Sequence, residues 1–423
     1  MKSGGRAVVP RYKYGELPRM RALRRRGSRY LLRTDINQFY PSIYTHSIPW
    51  ALHTKAACKA ALHTHAGNQL WGTEIDKAFQ YLNEGQTHGI PIGPDPSLVA
   101  AEILLAATDQ DLLARCPGLV RGFRYLDDYE LSFGNLSDAE KVLTELESIL
   151  ADYALALNPR KTKIEELPIS LADSWGTELG AFRLREAKNP VGQRNDIVAF
   201  FGRAFEVAKD QREHSVLRYA ISRVQGEKVH SSGWRAFQNC VLGAAGADAS
   251  ALAVALGTLY KTADAGGHSV SKSPLEETLG GIIERHAPRK EGSEVAWALW
   301  GALAWSVPLH TKTVELLGNM EDDFVALLAL DADARGLIPA GALDKNLWAG
   351  AVNQSDVLKG EHWLLCYEAN QKGWLQSQAV ANDPDFLAMS NGGVSFYDTA
   401  QNVPQFPEAA RSFPGGNLAA HYA

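Results

Sequence analysis

The run Arg124-Tyr125-Leu126-Asp127-Asp128-Tyr129 sets two adjacent carboxylates at a tight turn between two apolar, β-prone segments, 122–126 and 129–133. On a hairpin tip neighbouring side chains can point outward together, and carboxylates this close repel unless cations neutralise them. Alone, an Asp-Asp pair is an ordinary turn sequence, because Asp suits turns. A third acid changes its meaning. Asp35 ends another short β-prone run, 30–36, just before Phe39-Tyr40-Pro41, where proline stops any central ladder. Phosphoryl transfer by two divalent ions needs such a carboxylate set, one ion activating an attacking 3′-hydroxyl and the other stabilising the leaving oxygen. Asp35, Asp127 and Asp128 offer the hard oxygen ligands that magnesium takes.

The elements that must position these acids can be read around them. Helical spacing runs over 48–59 and 74–82, and a Gly- and Pro-rich breaker spans 85–97. A helix follows over 98–114, with Ser97 as its expected N-cap. After the hairpin, Ser137-Asp138-Ala139-Glu140 reads as a capping box opening an amphipathic helix to about 153, and 157–164 returns the chain to a turn and strand. This order predicts an α+β layer with helices on one face of a small antiparallel sheet, and the three acids meet if the strand of Asp35 pairs beside the hairpin. Between 166 and 196 the character changes, with Pro168, Gly176, Gly180, Pro190 and Gly192. Beyond it, Ala- and Leu-rich helical spacing recurs without a strict period, which predicts an irregular all-α, HEAT-like array of helical hairpins.

At 423 residues and 45% hydrophobic content the chain can bury two or three domain cores. Its four cysteines form no CxxC pair, so neither a disulfide framework nor a zinc site is expected, and a reducing cytoplasm is the expected home. No uninterrupted apolar stretch of about 18 residues occurs and no apolar leader opens the chain, so neither export nor membrane insertion is expected. The net charge of −5 conceals an asymmetry: residues 1–34 carry eleven Lys and Arg against one acid, Glu16. A basic arm with Tyr12, Tyr14 and Tyr30 interleaved suits a nucleic-acid backbone, with Arg24, Arg25, Arg26 and Arg29 as candidate contacts. Arg124, just before the turn, either faces phosphate or pairs with an acid.

Four strings, in order, resemble the motifs of reverse transcriptases. Asp35-Ile36-Asn37-Gln38-Phe39-Tyr40 resembles motif A, Gly89-Ile90-Pro91-Ile92-Gly93-Pro94 through Ser97 motif B, Tyr125-Leu126-Asp127-Asp128 motif C, and Leu157-Asn158 to Lys161-Thr162 motif D. The longer strings from Phe39 to Ser47 and from Gly85 to Pro94 resemble bacterial abortive-infection and phage-defence reverse transcriptases, which join a polymerase to an α-helical repeat domain. The resemblance implies a basic arm or residual fingers over 1–34, a palm over 35–168, a connector over 169–196, a helical domain over 197–382 and an irregular segment over 383–423. Only 34 residues precede Asp35, so it implies either reduced fingers or a recorded start late in the reading frame.

By the same resemblance, Asp35, Asp127, Asp128 and the carbonyl of Ile36 hold two Mg2+ ions, with Mn2+ as a substitute. Lys161 neutralises or protonates the pyrophosphate. Phe39, Gln86, Gly93 and Pro94 bind the nucleotide, and Tyr40 acts as a steric gate that selects deoxynucleoside triphosphates. The implied partners are a template and primer, a noncoding RNA among the candidates, and further copies of the chain in a trimer or hexamer. Synthesis is either RNA-templated or template-independent, with Tyr12, Tyr14, Tyr30 and Tyr44 as conceivable priming residues. The competing expectation is a nucleic-acid-binding or phage-sensing scaffold on a polymerase fold, against which the three acids argue, because unneutralised buried carboxylates are expensive.

Overall fold

The computed structural model describes residues 14–61, 70–118, 121–211 and 215–400. Tyr12, the start of the basic arm and the end of the irregular C-terminal segment lie outside them. The chain divides into two compact units, one running to Ser174 and the other starting at Trp175.

The first unit is built on strands β1 (Tyr30–Asp35), β2 (Gly122–Tyr125), β3 (Asp128–Phe133) and β4 (Lys163–Glu166), all antiparallel in the order β2-β3-β1-β4. Its helices are α1 (Leu17–Arg25), α2 (Phe39–Ser42), α3 (Ser47–His53), α4 (Lys55–Ala61), α5 (Trp71–Leu82), α6 (Asp95–Arg115) and α7 (Leu136–Asp152). Side chains alternate across a strand, so Leu32, Tyr129, Leu131 and Phe133 share one face and enter a buried cluster with Leu104 and Leu105 of α6 and Val142, Leu146 and Ile149 of α7. Leu31, Asp35, Asp128, Glu130 and Ser132 share the other. The sheet thus has an apolar side covered by helices and a polar side that carries the acids, as the sequence pattern predicts. At the edge, Gly122 lies so close to β3 that a Cβ there would stand 2.1 Å from the Glu130 carbonyl oxygen, a spacing only glycine permits.

Two helix starts differ from expectation. Helix α6 begins at Asp95 with Pro94 at the N-cap, so Ser97 falls inside the first turn and is buried. Helix α7 is capped by Asn135, whose side chain accepts the Asp138 N–H at 2.9 Å, and Ser137 is already helical. Both serines satisfy the sequence pattern, but the cap is whichever residue leaves helical backbone first.

The second unit is helical. It contains α8 (Ser174–Ala181), α9 (Pro190–Asp210), α10 (Val216–Arg223), α11 (Ser231–Ala247), α12 (Leu252–Gly266), α13 (Lys272–His286), α14 (Gly292–Trp305), α15 (Thr311–Val314), α16 (Asp323–Ala334), α17 (Asn346–Ala351), α18 (Trp363–Gln371), α19 (Ala379–Asn382) and α20 (Pro384–Asn391). Helices α9, α11 and α13 pack in succession, as do α10, α12, α14, α16 and α18, and α11–α12 and α13–α14 join the two rows. The stretch 169–196, expected to connect domains, contains the division but also α8 and the start of α9. Pro190 opens α9 instead of breaking it, because its missing N–H falls in the first turn, and Asn189 caps that turn by accepting the Gly192 N–H at 3.0 Å. Trp234 and Trp348 are packing residues, their indole N–H groups donating to the Ser269 and Met320 carbonyls at 2.8 and 2.7 Å. All four cysteines are free. Among the described residues no helix is long and apolar enough to cross a membrane.

Candidate active site

Register brings the acids together. Asp35, the last residue of β1, pairs directly across from Asp128, the first of β3, and Asp127 occupies the two-residue turn between β2 and β3. The Ile36 N–H donates to the Asp127 carbonyl at 3.3 Å, so the chain leaving β1 remains tied to that turn. The turn is strained: Leu126 has φ 54°, a region that costs a non-glycine residue on the order of 1 kcal/mol. Arg124 braces it. Its guanidinium donates to the Leu126 carbonyl at 2.7 Å, to Asp109 Oδ2 at 3.0 Å and to Glu102 through both Nη atoms at 3.2 and 3.1 Å. Burial works against the Arg124 charge, yet Glu102 and Asp109 outweigh it and hold the guanidinium more tightly protonated than usual. The Tyr129 hydroxyl donates to Asp109 Oδ1 at 3.1 Å, which fixes the base of the hairpin to α6 as well.

The three carboxylates differ in surroundings. Asp35 is 6% exposed. Its Oδ1 is buried without a hydrogen-bond partner, and its Oδ2 accepts Lys161 Nζ at 2.7 Å. Burial, reinforced by the Asp35 charge, raises the Asp127 pKa. Asp128 keeps an exposed side chain, but the surrounding protein bulk, followed by Asp127 and Asp35, pushes its carboxyl up to about 6. Lys161 reaches this group from the turn after Leu157. The Asn158 N–H donates to the Asp35 carbonyl at 2.8 Å, the Lys161 N–H to the Asn158 carbonyl at 3.1 Å, and the hydroxyls of Thr34 and Thr162 meet at 2.7 Å. The hydrogen bond to Asp35 raises the Lys161 pKa, while its side chain stays 63% exposed.

Asp35, Asp127 and Lys161 open on a cleft of about 440 Å³, also lined by Asn37, Gln38, Phe39, Tyr40, Pro41, Ile92, Gly93, Pro94, Leu98, Leu126 and Asn158. The predicted residues Phe39, Tyr40, Gly93 and Pro94 therefore share one cavity with two of the acids. Phe39 and Tyr40 meet edge to face at 5.4 Å. Gly93 takes φ 117°, which only glycine adopts freely, and so presents bare backbone to the cleft. Ile36 is buried in the core, and Asp128 and Gln86 are outside the cleft lining. Asn37, Gln38 and Asn158 also line the cleft; they lie inside the strings that resemble motifs A and D, but the sequence assigns them no role of their own.

The residues fit divalent metal in donor chemistry: a buried carboxylate oxygen without a partner, next to two carboxyls whose charges disfavour one another. Among the described residues no three His, Cys, Asp or Glu side chains gather closely enough to cage a cation unaided. An ion here would complete its shell from water and substrate phosphates, as magnesium commonly does.

The arginines separate into two groups. Arg25 is buried, donating to Glu130 Oε2 at 2.8 Å and to the Ser170 carbonyl at 2.9 Å, and Arg124 is committed to α6 and the turn. Arg24, Arg26 and Arg29 are exposed, Arg29 pairing with Glu166 at 3.0 Å. Of the two readings left open for Arg124, its geometry is that of an acid-paired brace.

No curated protein matches the chain. A family model described as reverse transcriptase (RNA-dependent DNA polymerase) matches residues 8–200, a span that includes the whole acidic cleft and supports a reverse-transcriptase-like polymerase domain in this part of the chain.

Proposed function

We propose that the protein is a reverse-transcriptase-like DNA polymerase that adds deoxynucleotides to a 3′ end with two Mg2+ ions. The observation that carries this reading is the register setting Asp35 across from Asp128 with Asp127 at the adjoining turn. When bound, the ions would activate the 3′-hydroxyl and stabilise the leaving pyrophosphate. The chain's own residues supply the remainder. Asp35 and Asp127 hold negative charge in the cleft lining, and Asp128 adds its charge directly across from Asp35. Lys161 Nζ, partly exposed, neutralises Asp35 and lines the cleft, where it would meet a departing phosphate. Tyr40 bounds the space beneath the sugar and disfavours a 2′-hydroxyl, and the bare backbone at Gly93, next to the Pro94 ring, accepts the flat base. Arg24, Arg26 and Arg29 are the candidate backbone contacts. A role in antiphage defence, a HEAT-like character for the helical unit and assembly through that unit rest on the resemblance of the longer strings.

The test is incorporation of labelled deoxynucleotides by purified protein with Mg2+, compared with Asp127→Ala/Asp128→Ala, with and without RNA co-purified from the host. Incorporation falling at least a thousandfold in the double variant is expected, and its RNase sensitivity separates templated from untemplated synthesis. Equal incorporation by both proteins overturns the assignment. Absence of incorporation throughout favours a binding scaffold.

A further inference from the structure

Segment 87–90 runs along segment 40–45. The Thr45 N–H donates to the Thr87 carbonyl at 2.8 Å, the Gly89 N–H to the Ile43 carbonyl at 2.9 Å and the Ile90 N–H to the Tyr40 carbonyl at 3.1 Å. One end of this ribbon, at Tyr40 and Pro41, lines the cleft. The other end carries rings. Tyr44 and His88, bridged across the ribbon, stack with centroids 4.9 Å apart and planes 28° from parallel. His46 and Trp50 meet Tyr44 edge-on at 4.7 and 5.6 Å. The Lys55 ammonium lies 4.4 Å over the Trp50 ring while donating to the Asp152 carbonyl at 2.9 Å. The cluster is fixed from behind, because the buried Asp76 pairs with His46 Nδ1 at 2.5 Å and accepts the Gln80 amide at 2.7 Å. His88 is the exposed ring of the stack, and Tyr44, His46 and Trp50 are half-buried. The reaction proposed above uses none of these side chains.

Aromatic rings locked in place, one of them facing solvent and another lying under a cation, form the kind of surface on which unpaired bases stack. We propose that the His88–Tyr44 stack is a platform for a single strand of nucleic acid, with an unpaired base on His88 and backbone phosphate near Lys55. The choice of occupant rests on the polymerase reading. The ribbon that ends in the cleft is continuous with the platform, so a strand leaving the cleft along it meets His88. The Lys55 ammonium, held over Trp50 in the same cluster, complements the charge of such a strand.

The experiment is fluorescence anisotropy of 5′-labelled oligo(dT) and oligo(rU), with EDTA and no nucleotide, so that the result is independent of synthesis. A stacked base contributes about 1–3 kcal/mol by alanine substitution, so His88→Ala should weaken binding about tenfold or more at every salt concentration. The salt slope should stay unchanged, since no phosphate contact is lost. His88→Phe should restore affinity, because it restores a ring, and the DNA and RNA arms identify which strand is preferred. Wild-type affinity in His88→Ala, failure of His88→Phe to restore it, or absence of binding by the wild type overturns the platform. The two readings separate cleanly: incorporation with His88-independent binding removes the platform alone, whereas His88-dependent binding without incorporation keeps the platform and removes the polymerase.

Discussion

At the scale of single residues, the site is a set of charges that the fold holds close at a cost. The surrounding protein bulk and the neighbouring acids push Asp128 up to about 6, and burial with the Asp35 charge raises Asp127. A carboxyl whose folded pKa lies above its unfolded value near 4 stabilises the fold fully below that value, and loses this contribution as pH rises through the folded one. In metal-free protein the Asp128 contribution is therefore present at about pH 4 and is lost as pH rises through about 6. A divalent ion bound as proposed would remove the penalty by pairing with the deprotonated carboxylates, and protons would compete with it at low pH. Melting temperatures with Mg2+ and with EDTA should accordingly differ little at pH 5 and diverge towards pH 7.5, and Asp128→Asn should reduce that divergence. A difference independent of pH would mean that the acids do not bind the ion. Arg124 belongs to the same scale: its five-donor fork reaches two carboxylates and a turn carbonyl at once, a set that lysine does not match.

At the scale of elements, the polar face of the sheet is held by α1. Glu130, two positions along β3 from Asp128, is buried, and Arg21 Nη2 and Arg25 Nη2 approach its two oxygens at 2.6 and 2.8 Å. Burial opposes the Glu130 charge, but the hydrogen bonds and charges of Arg21 and Arg25 outweigh it and keep its pKa below the ordinary carboxylate range. Glu130→Ala leaves Arg25 buried without a counter-charge, which typically costs roughly 3–5 kcal/mol. The urea midpoint should fall, and trypsin should cut sooner at the exposed Arg24 and Arg26 as α1 undocks; an unchanged midpoint and cleavage rate would show that α1 is not held this way. This clamp was only half legible in the sequence. Alternation gave β3 a polar face, and Arg21 and Arg25 stand four apart on one helix side, but nothing local says that a buried strand acid claims them. The carboxylate hairpin was legible because its chemistry sits in adjacent residues. The expected caps Ser97 and Ser137 were misplaced because each lies within a turn of the true boundary, where backbone geometry decides and composition does not.

At the scale of the whole chain, each unit owns its core. Leu104 and Leu146 are fully buried in the cluster beneath the sheet, and Phe237, Leu256 and Leu299 are fully buried among the helices of the second unit. Helical spacing punctuated by glycine led to the expectation of stacked hairpins and of a connector over 169–196; that stretch contains the division at Ser174 but also α8 and the start of α9, since Pro190 and Gly192 punctuate a linker and open a helix equally well. Separate cores imply separate responses to damage. Leu104→Ala removes packing that only the first unit shares, at a cost of about 2–5 kcal/mol. Hydrogen exchange resolved along the chain should then show faster exchange over β1 to β4, with α11 to α16 retaining wild-type protection, because opening follows the cooperative unit that holds the cavity. Incorporation should decline at temperatures where the helical signal in circular dichroism is still intact. Uniform loss of protection across both units would instead mean that the chain opens as one cooperative body, and that the helical unit carries part of the stability of the acid-bearing sheet.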